Sequence, residues 1–209
     1  MRALTHAFEG LFGIADGFAG VPAAGRTDRW VIAEAARLQG VTVDADTLTR
    51  LRDAYLDRLT HEIHRPGPRK GILPGVRPLL ETLSGRSDVW LGLLTGNFEG
   101  GARIKLEYFD LWRYFRTGAF GDDVLTRNEL FDAALARVRA AGGPAFDPTD
   151  VFVIGDTPLD VEVAQAGGGR SVAVATGSYD VEALRETGAD VVLSDLEDLD
   201  AALNALACK

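Results

Sequence analysis

The stretch VFVIGDTPLDVEVAQAGG, from Val151 to Gly168, decides the fold. Val151, Phe152, Val153 and Ile154 form a continuous apolar run with β-branched residues, the pattern of a strand buried on both faces in a parallel sheet. Gly155 permits a sharp exit, so Asp156 lands where the carboxyl end of the strand meets the next loop. Open α/β sheets bind ligands at that edge. Asp160 follows at the start of a short helix carrying Val161 and Ala164. Two carboxylates, one at the strand tip and one in the following turn, can converge on a hard cation such as Mg2+. An isolated GDxxxD serves equally well as a loop residue and a helix-dipole acid, so the surrounding chain has to decide.

Outward from this strand, apolar runs alternate with helical patterns. Val89 to Leu94 reads as a strand ending in Thr95-Gly96-Asn97, a short strand is expected around Thr117 to Phe120, and others at Ser171 to Ala175 and Asp190 to Leu193. Helices are expected from Val76 to Leu83, from about Gly101 to Phe109 and from Arg127 to Ala140, and Gly167-Gly168-Gly169 is a helix stop. This alternation implies right-handed crossovers and a doubly wound, Rossmann-like parallel sheet.

The residues before Pro74 follow another grammar. Leu4, Ala7, Phe8, Leu11 and Phe12 recur at helical spacing, Gly13 to Thr27 reads as a connection, and Asp28 can cap a helix from Arg29 to Leu38. Asp44 or Asp46 can cap a third helix with the stripe Leu48, Leu51, Tyr55, Leu59 and Ile63, which Pro66 and Pro68 end. The chain therefore reads as a helical module followed by an α/β module.

Composition bounds the partners. A chain of 209 residues with 46% hydrophobic and 25% charged residues can bury a sizeable core. Its net charge of −9 argues against a nucleic-acid backbone or an anionic membrane surface. No apolar run approaches the roughly 18 residues of a membrane span. The single cysteine, Cys208, excludes an internal disulfide and fits a reducing compartment, so a cytoplasmic protein is expected. Nothing in the sequence sets the oligomeric state.

Several residues can carry chemistry. Thr95 offers a hydroxyl beside the backbone N–H groups of Gly96 and Asn97, a combination that binds a phosphoryl oxygen or merely turns the chain. Arg127 stands at a helix start, where a cation opposes the dipole; that conflict suits a phosphate-facing role, and a solvated arginine is the plainer reading. Asp122 and Asp123 follow the short strand at the same sheet edge and either support the site or cap the loop. His61 and His64 share a helix, but zinc would need further nitrogen or sulfur ligands, and His6 has no partner in sequence.

LLTGN at one strand end, a basic residue at a later helix start and VIGDTPLD at the next strand end, in that order, resemble the haloacid dehalogenase-like (HAD-like) hydrolase superfamily, in its phosphoglycolate-phosphatase-like branch. The resemblance implies that residues 1–72 are a helical cap, with Gly25-Arg26-Thr27-Asp28 like a loop the branch carries there, and that residues 73–209 are the core. It implies a Mg2+-dependent phosphatase acting on a small phosphorylated metabolite, a phosphomonoester such as phosphoglycolate, through an aspartyl-phosphate. Thr95, with Gly96 and Asn97, would bind the phosphoryl group, and Arg127 would stand at the family's basic position. Asp156 would ligate Mg2+, and Asp160 would support that site. Lys105 is an alternative basic residue, but its helix position suggests the surface. A dehalogenase needs no metal and would not require Asp156 beside Asp160.

One motif departs from the family. Its DxDxT, which supplies the nucleophilic and acid/base aspartates on the first core strand, has no counterpart, and Asp44-Ala45-Asp46 lies before a helix. The isolated chain is expected to be N-terminally truncated and inactive; the alternative is an inactive HAD-like binding or regulatory protein. The missing strand would remove four or five buried side chains worth roughly 6–15 kcal/mol, comparable to a domain's whole stability of about 5–15 kcal/mol, which favours truncation. The Val89 and Val151 strands are then expected to stand one strand apart, about 9–10 Å rather than about 4.8 Å, in a chain prone to aggregate.

Overall fold

The computed structural model describes residues 1–67, 70–122 and 124–207; Pro68, Asp123 and Cys208 lie outside the described residues. Three helices come first. Helix α1 (Arg2–Phe12) buries Ala3, Leu4, Ala7 and Phe8, one face at helical spacing. Helix α2 (Asp28–Gln39) buries Val31, Ile32, Ala35 and Ala36, and α3 (Ala45–Glu62) buries Leu51, Tyr55 and Leu59. The expected cap of α2 moves by one residue. Thr27, in extended conformation, accepts the Trp30 N–H at 3.1 Å, while Asp28 is already helical and its carboxylate is free to reach elsewhere. Asp44, not Asp46, caps α3 by accepting the Thr47 N–H at 2.8 Å. The core between these helices also takes in Phe98, which is 2% exposed and comes from the α/β part of the chain.

From Val76 onward the elements alternate as expected: α4 (Val76–Ser84), β1 (Gly92–Leu94), α5 (Glu99–Tyr108), β2 (Thr117–Ala119), α6 (Leu130–Ala140) and β3 (Phe152–Gly155). Then follow α7 (Pro158–Gly167), β4 (Arg170–Val174), α8 (Val181–Glu186), β5 (Val191–Leu193) and α9 (Leu199–Ala205). All pairings are parallel. Strand β1 is shorter than Val89 to Leu94; ahead of it Val89 and Leu91 pack with Leu79 and Leu83 of α4.

The strands form two parallel sheets, β1-β2 and β3-β4-β5. Among the described residues β1 pairs only with β2, and β3 only with β4. In a parallel ladder alternate residues turn their N–H and C=O to opposite sides. Leu91 O accepts from Arg116 N and Thr95 N donates to Ala119 O, which leaves Gly92 and Leu94 turned toward the other edge. The expectation that the Val151–Ile154 run is buried on both faces therefore holds only in part. Val153 is 7% exposed, but Ile154 is 40% exposed, and among the described residues β3 has a neighbouring strand on one side only.

Helix α6 joins the two sheets. Its Leu130 packs with Ala119 and Val124, its Phe131 packs with Val153, Val163 and Ala164, and Leu94 of β1 touches both groups. Gly168 stops α7 at φ 74°, but Gly167 does something the sequence reading missed: a Cβ there would lie 2.1 Å from Phe131 Cδ1. The Phe131 ring lies directly on that backbone. Phe131→Ala should therefore cost about 3–5 kcal/mol, measured by urea unfolding. A loss below about 1 kcal/mol would mean that the sheets do not depend on this ring.

Candidate functional site

Strands β1 and β3 end in the two loops that the sequence singled out. After β1, Thr95 N donates to Ala119 O at 3.0 Å, and Thr95 Oγ1 accepts the Asn97 N–H at 3.2 Å. The hydroxyl proton stays available to an incoming acceptor. Asn97 O accepts the Gly121 N–H at 2.8 Å, and Asn97 Oδ1 accepts from Lys105 Nζ at 2.7 Å. Lys105 is thus not the surface residue its helix position suggested. It follows buried Gly101 and Ala102 at helical spacing, on the inward side of α5. Burial lowers its pKa, and the charge of Asp28 works in the opposite direction.

After β3, Asp156 is half-buried. Burial is the main cause raising its carboxyl pKa; the like charge of Asp160 adds to this, and Arg127 opposes it. Asp160 is 4% exposed and closes a capping box at the start of α7. Its Oδ2 accepts the Thr157 N–H at 3.0 Å and the Thr157 hydroxyl at 2.8 Å, and its Oδ1 pairs with Arg127 Nη2. Both oxygens of Asp160 are therefore engaged within the protein.

Arg127 opens a short 3-10 turn, Arg127–Glu129, ahead of α6. It is not the solvated arginine of the plainer reading: its side chain is 14% exposed, and Nη1 donates to the Gly25 carbonyl at 2.9 Å. The dipole conflict is offset by the Asp160 carboxylate. Arg127 Nε is buried and has no hydrogen-bond partner among the described residues.

The segment Gly25–Asp28 runs across both strand ends. A Cβ on Gly25 would lie 2.7 Å from Thr157 Oγ1, and one on Gly96 would lie 2.5 Å from Arg26 O, so both contacts need glycine. Thr27 Oγ1 donates to Leu125 O at 2.8 Å, and Asp28 N donates to Gly96 O at 2.7 Å. Asp122 supports the neighbouring loop, its Oδ2 accepting the Glu99 N–H at 2.5 Å. The segment thus meets the loop after β1 at Gly96 and meets Arg127 and Thr157 through Gly25. Thr27, Asp28 and Lys105 were missed or misplaced, although GRTD had been singled out as a unit. His61 and His64 stand apart on the helical part, where His64 meets the Tyr108 ring edge-on.

Two cavities of about 230 and 270 Å³ lie against β1 and β2 and are lined by Leu91 and Tyr114, and by Trp112 and Phe120; neither includes Thr95, Arg127 or Asp156. No cluster of three or more His, Cys, Asp or Glu with metal-holding geometry occurs among the described residues.

Two outcomes follow from these charges. Asp160→Ala should cost about 3–5 kcal/mol in urea unfolding, because it leaves the Arg127 guanidinium buried and unpaired; a change near zero would show Arg127 reaching water. The raised carboxyl of Asp156 disfavours its ionised form in the fold, so its cost sets in as pH rises from the ordinary carboxylate range through the folded-state pKa. Asp156→Asn should raise the Tm of the metal-free chain at pH 7, and the gain should fade below about pH 4. A pH-independent difference would contradict this account.

Comparison with known proteins agrees with the geometry. Residues 127–199 match the HAD-hydrolase-like family model. Phosphoglycolate phosphatase 1 of Pseudomonas aeruginosa is 32% identical over 128 residues, covering 61% of this chain and 46% of that protein. The chain thus spans about half the length of that curated relative. A hydrolase from Pseudomonas syringae shares the fold with TM-score 0.68 at 23% identity, covering 97% of this chain and 91% of that one. CbbY from Rhodobacter sphaeroides, solved in complex with phosphate, shares it with TM-score 0.70 at 18% identity, covering 95% and 87%. The family match falls on the segment that carries Arg127, Asp156 and Asp160, and nearly the whole chain shares the fold of solved hydrolases, so the chain resembles the HAD-like hydrolase superfamily.

Proposed function

We propose that this chain is the phosphate- and metal-binding part of a Mg2+-dependent phosphatase acting on a small phosphomonoester, phosphoglycolate being the model set by its curated relatives. The observation that carries the reading is Arg127: a buried guanidinium, fixed by Asp160 and Gly25 O, whose Nε donor is left without a partner. A buried donor of this kind costs free energy unless a ligand completes it. A phosphoryl oxygen is such a ligand, and the Thr95 hydroxyl and the Thr95-Gly96-Asn97 turn supply neutral donors on the other side.

Asp156 fits a hard cation, because its desolvated carboxylate is repelled by Asp160 and a cation would relieve both penalties. Asp156 would hold Mg2+; Asp160, committed to Arg127 and Thr157, would support the site by keeping those groups in place. Bound Mg2+ would neutralise charge on the phosphoryl oxygens. The chain's own residues orient the phosphoryl group: Thr95 donates to one oxygen, Arg127 fixes another, and residues 1–72 act as the cap that excludes water.

In this reading Asp156 is committed to Mg2+, Asp160 to Arg127 and Thr157, and Thr95 to donating to a phosphoryl oxygen, so the aspartyl-phosphate would form on an aspartate outside this set. The 209-residue chain is therefore expected to bind inorganic phosphate in the presence of Mg2+, with binding weakened at least about tenfold by Arg127→Met or Thr95→Ala, and not to hydrolyse p-nitrophenyl phosphate. Calorimetry and a turnover assay check this. Absence of phosphate binding would sink the site assignment. Mg2+-dependent turnover abolished by Asp156→Ala would show that a nucleophile is present after all.

A further inference from the structure

Helix α5 begins at Phe98, a residue whose side chain cannot cap it. Its first N–H groups are satisfied from elsewhere: Phe98 N donates to Asp28 Oδ2 at 2.8 Å, across 70 residues of sequence, and Glu99 N donates to Asp122 Oδ2. Asp28 grips the same turn a second time, its own N–H donating to Gly96 O at 2.7 Å. From below, Lys105 Nζ holds the Asn97 side chain at 2.7 Å.

We propose that Asp28 and Lys105 are positioning residues that together fix the Thr95-Gly96-Asn97 turn, Asp28 from the helical part of the chain and Lys105 from the inner side of α5. Where phosphate binding is concerned, this rests on the function proposed above. Between them they hold the middle of the turn, its last side chain and the residue that follows: Gly96 O and Phe98 N by Asp28, the Asn97 side-chain oxygen by Lys105. The charged groups around Asp28 are Lys105 from α5, the chain's first amine, and Asp122 from the loop after β2; Tyr55 faces it from α3. Burial raises the Asp28 carboxyl pKa, and Lys105 and the Phe98 N–H work in the opposite direction. This arrangement also couples the helical part to the anion site: α2 cannot leave without releasing Gly96 and Phe98.

The sign of one substitution separates positioning from simple charge. Asp28→Asn removes a negative charge near an anion site, so through electrostatics alone it would tighten the binding of inorganic phosphate. Through positioning it weakens it, because a neutral amide oxygen holds the Phe98 N–H less firmly than the carboxylate does. The expected result by calorimetry is at least about tenfold weaker phosphate binding for Asp28→Asn and for Lys105→Met, the size of one lost charge-assisted hydrogen bond. The double variant should be no weaker than the worse single one, because both act on the same turn, and Lys105→Arg should retain most of the affinity. Amide exchange provides a readout that needs no ligand: protection of the Phe98 N–H should fall at least about tenfold in Asp28→Asn, while α6 amides keep theirs. Tightened or unchanged phosphate binding in Asp28→Asn overturns the proposal. If the unsubstituted chain binds no phosphate, the function proposed above fails, and Phe98 exchange alone then decides this inference: unchanged protection, or loss spread evenly over the chain, refutes it.

Discussion

Three pieces of chain meet at one guanidinium. Arg127 comes from the turn that opens α6, Asp160 from the first turn of α7, and Gly25 from the connection between α1 and α2. An arginine this far removed from water is tolerated only while its charge is matched. The helical part, the β2–α6 passage and the β3–α7 passage are thereby obliged to converge. Asp160 in turn keeps Thr157 in place, so the loop carrying Asp156 inherits its shape from the same pairing. Remove the pairing and three separate segments lose their common reference point.

The second organising device is the use of carboxylates at a distance to complete helix starts. Thr27, Asp44, Asp180 and Asp198 cap their own helices locally, as sequence patterns lead one to expect. Helix α5 is different, since both of its leading N–H groups are taken by carboxylates from other elements. Those two bonds draw α2 and the loop after β2 onto the end of β1, where a phosphate-sized anion would also be drawn.

How much of this could be read in the sequence depends on how local each signal is. The run Val151 to Ile154 followed by Gly155-Asp156 identified a strand and its tip, and the Leu51, Tyr55, Leu59 stripe identified α3, because periodicity and strand-end chemistry are written within a few residues. Thr95, Arg127, Asp156 and Asp160 could be singled out for the same reason. The inward turn of Lys105 could not, because it depends on Asn97 and Asp28 meeting α5 in space; only its spacing from Gly101 and Ala102 hinted at it. The contacts of Thr27 with Leu125 and of Gly25 with Arg127 span 98 and 102 residues and leave no periodic trace. The exposure of Ile154 was equally illegible. An apolar run announces a strand but not how many neighbours that strand will have.

The division into two sheets has a mechanical consequence. Thr95 rides on β1 and Asp156 on β3, and no backbone ladder among the described residues ties those strands together. Their relative position is set by side chains, chiefly the ring of Phe131 lying on Gly167 and the reach of Leu94 into both clusters. Hydrogen-bonded strands resist sliding because every ladder bond must break at once, whereas packed side chains yield by small rotations. Among the described residues the loops carrying Thr95 and Asp156 are thus held to one another by side-chain packing around α6, where most parallel sheets would use a continuous ladder.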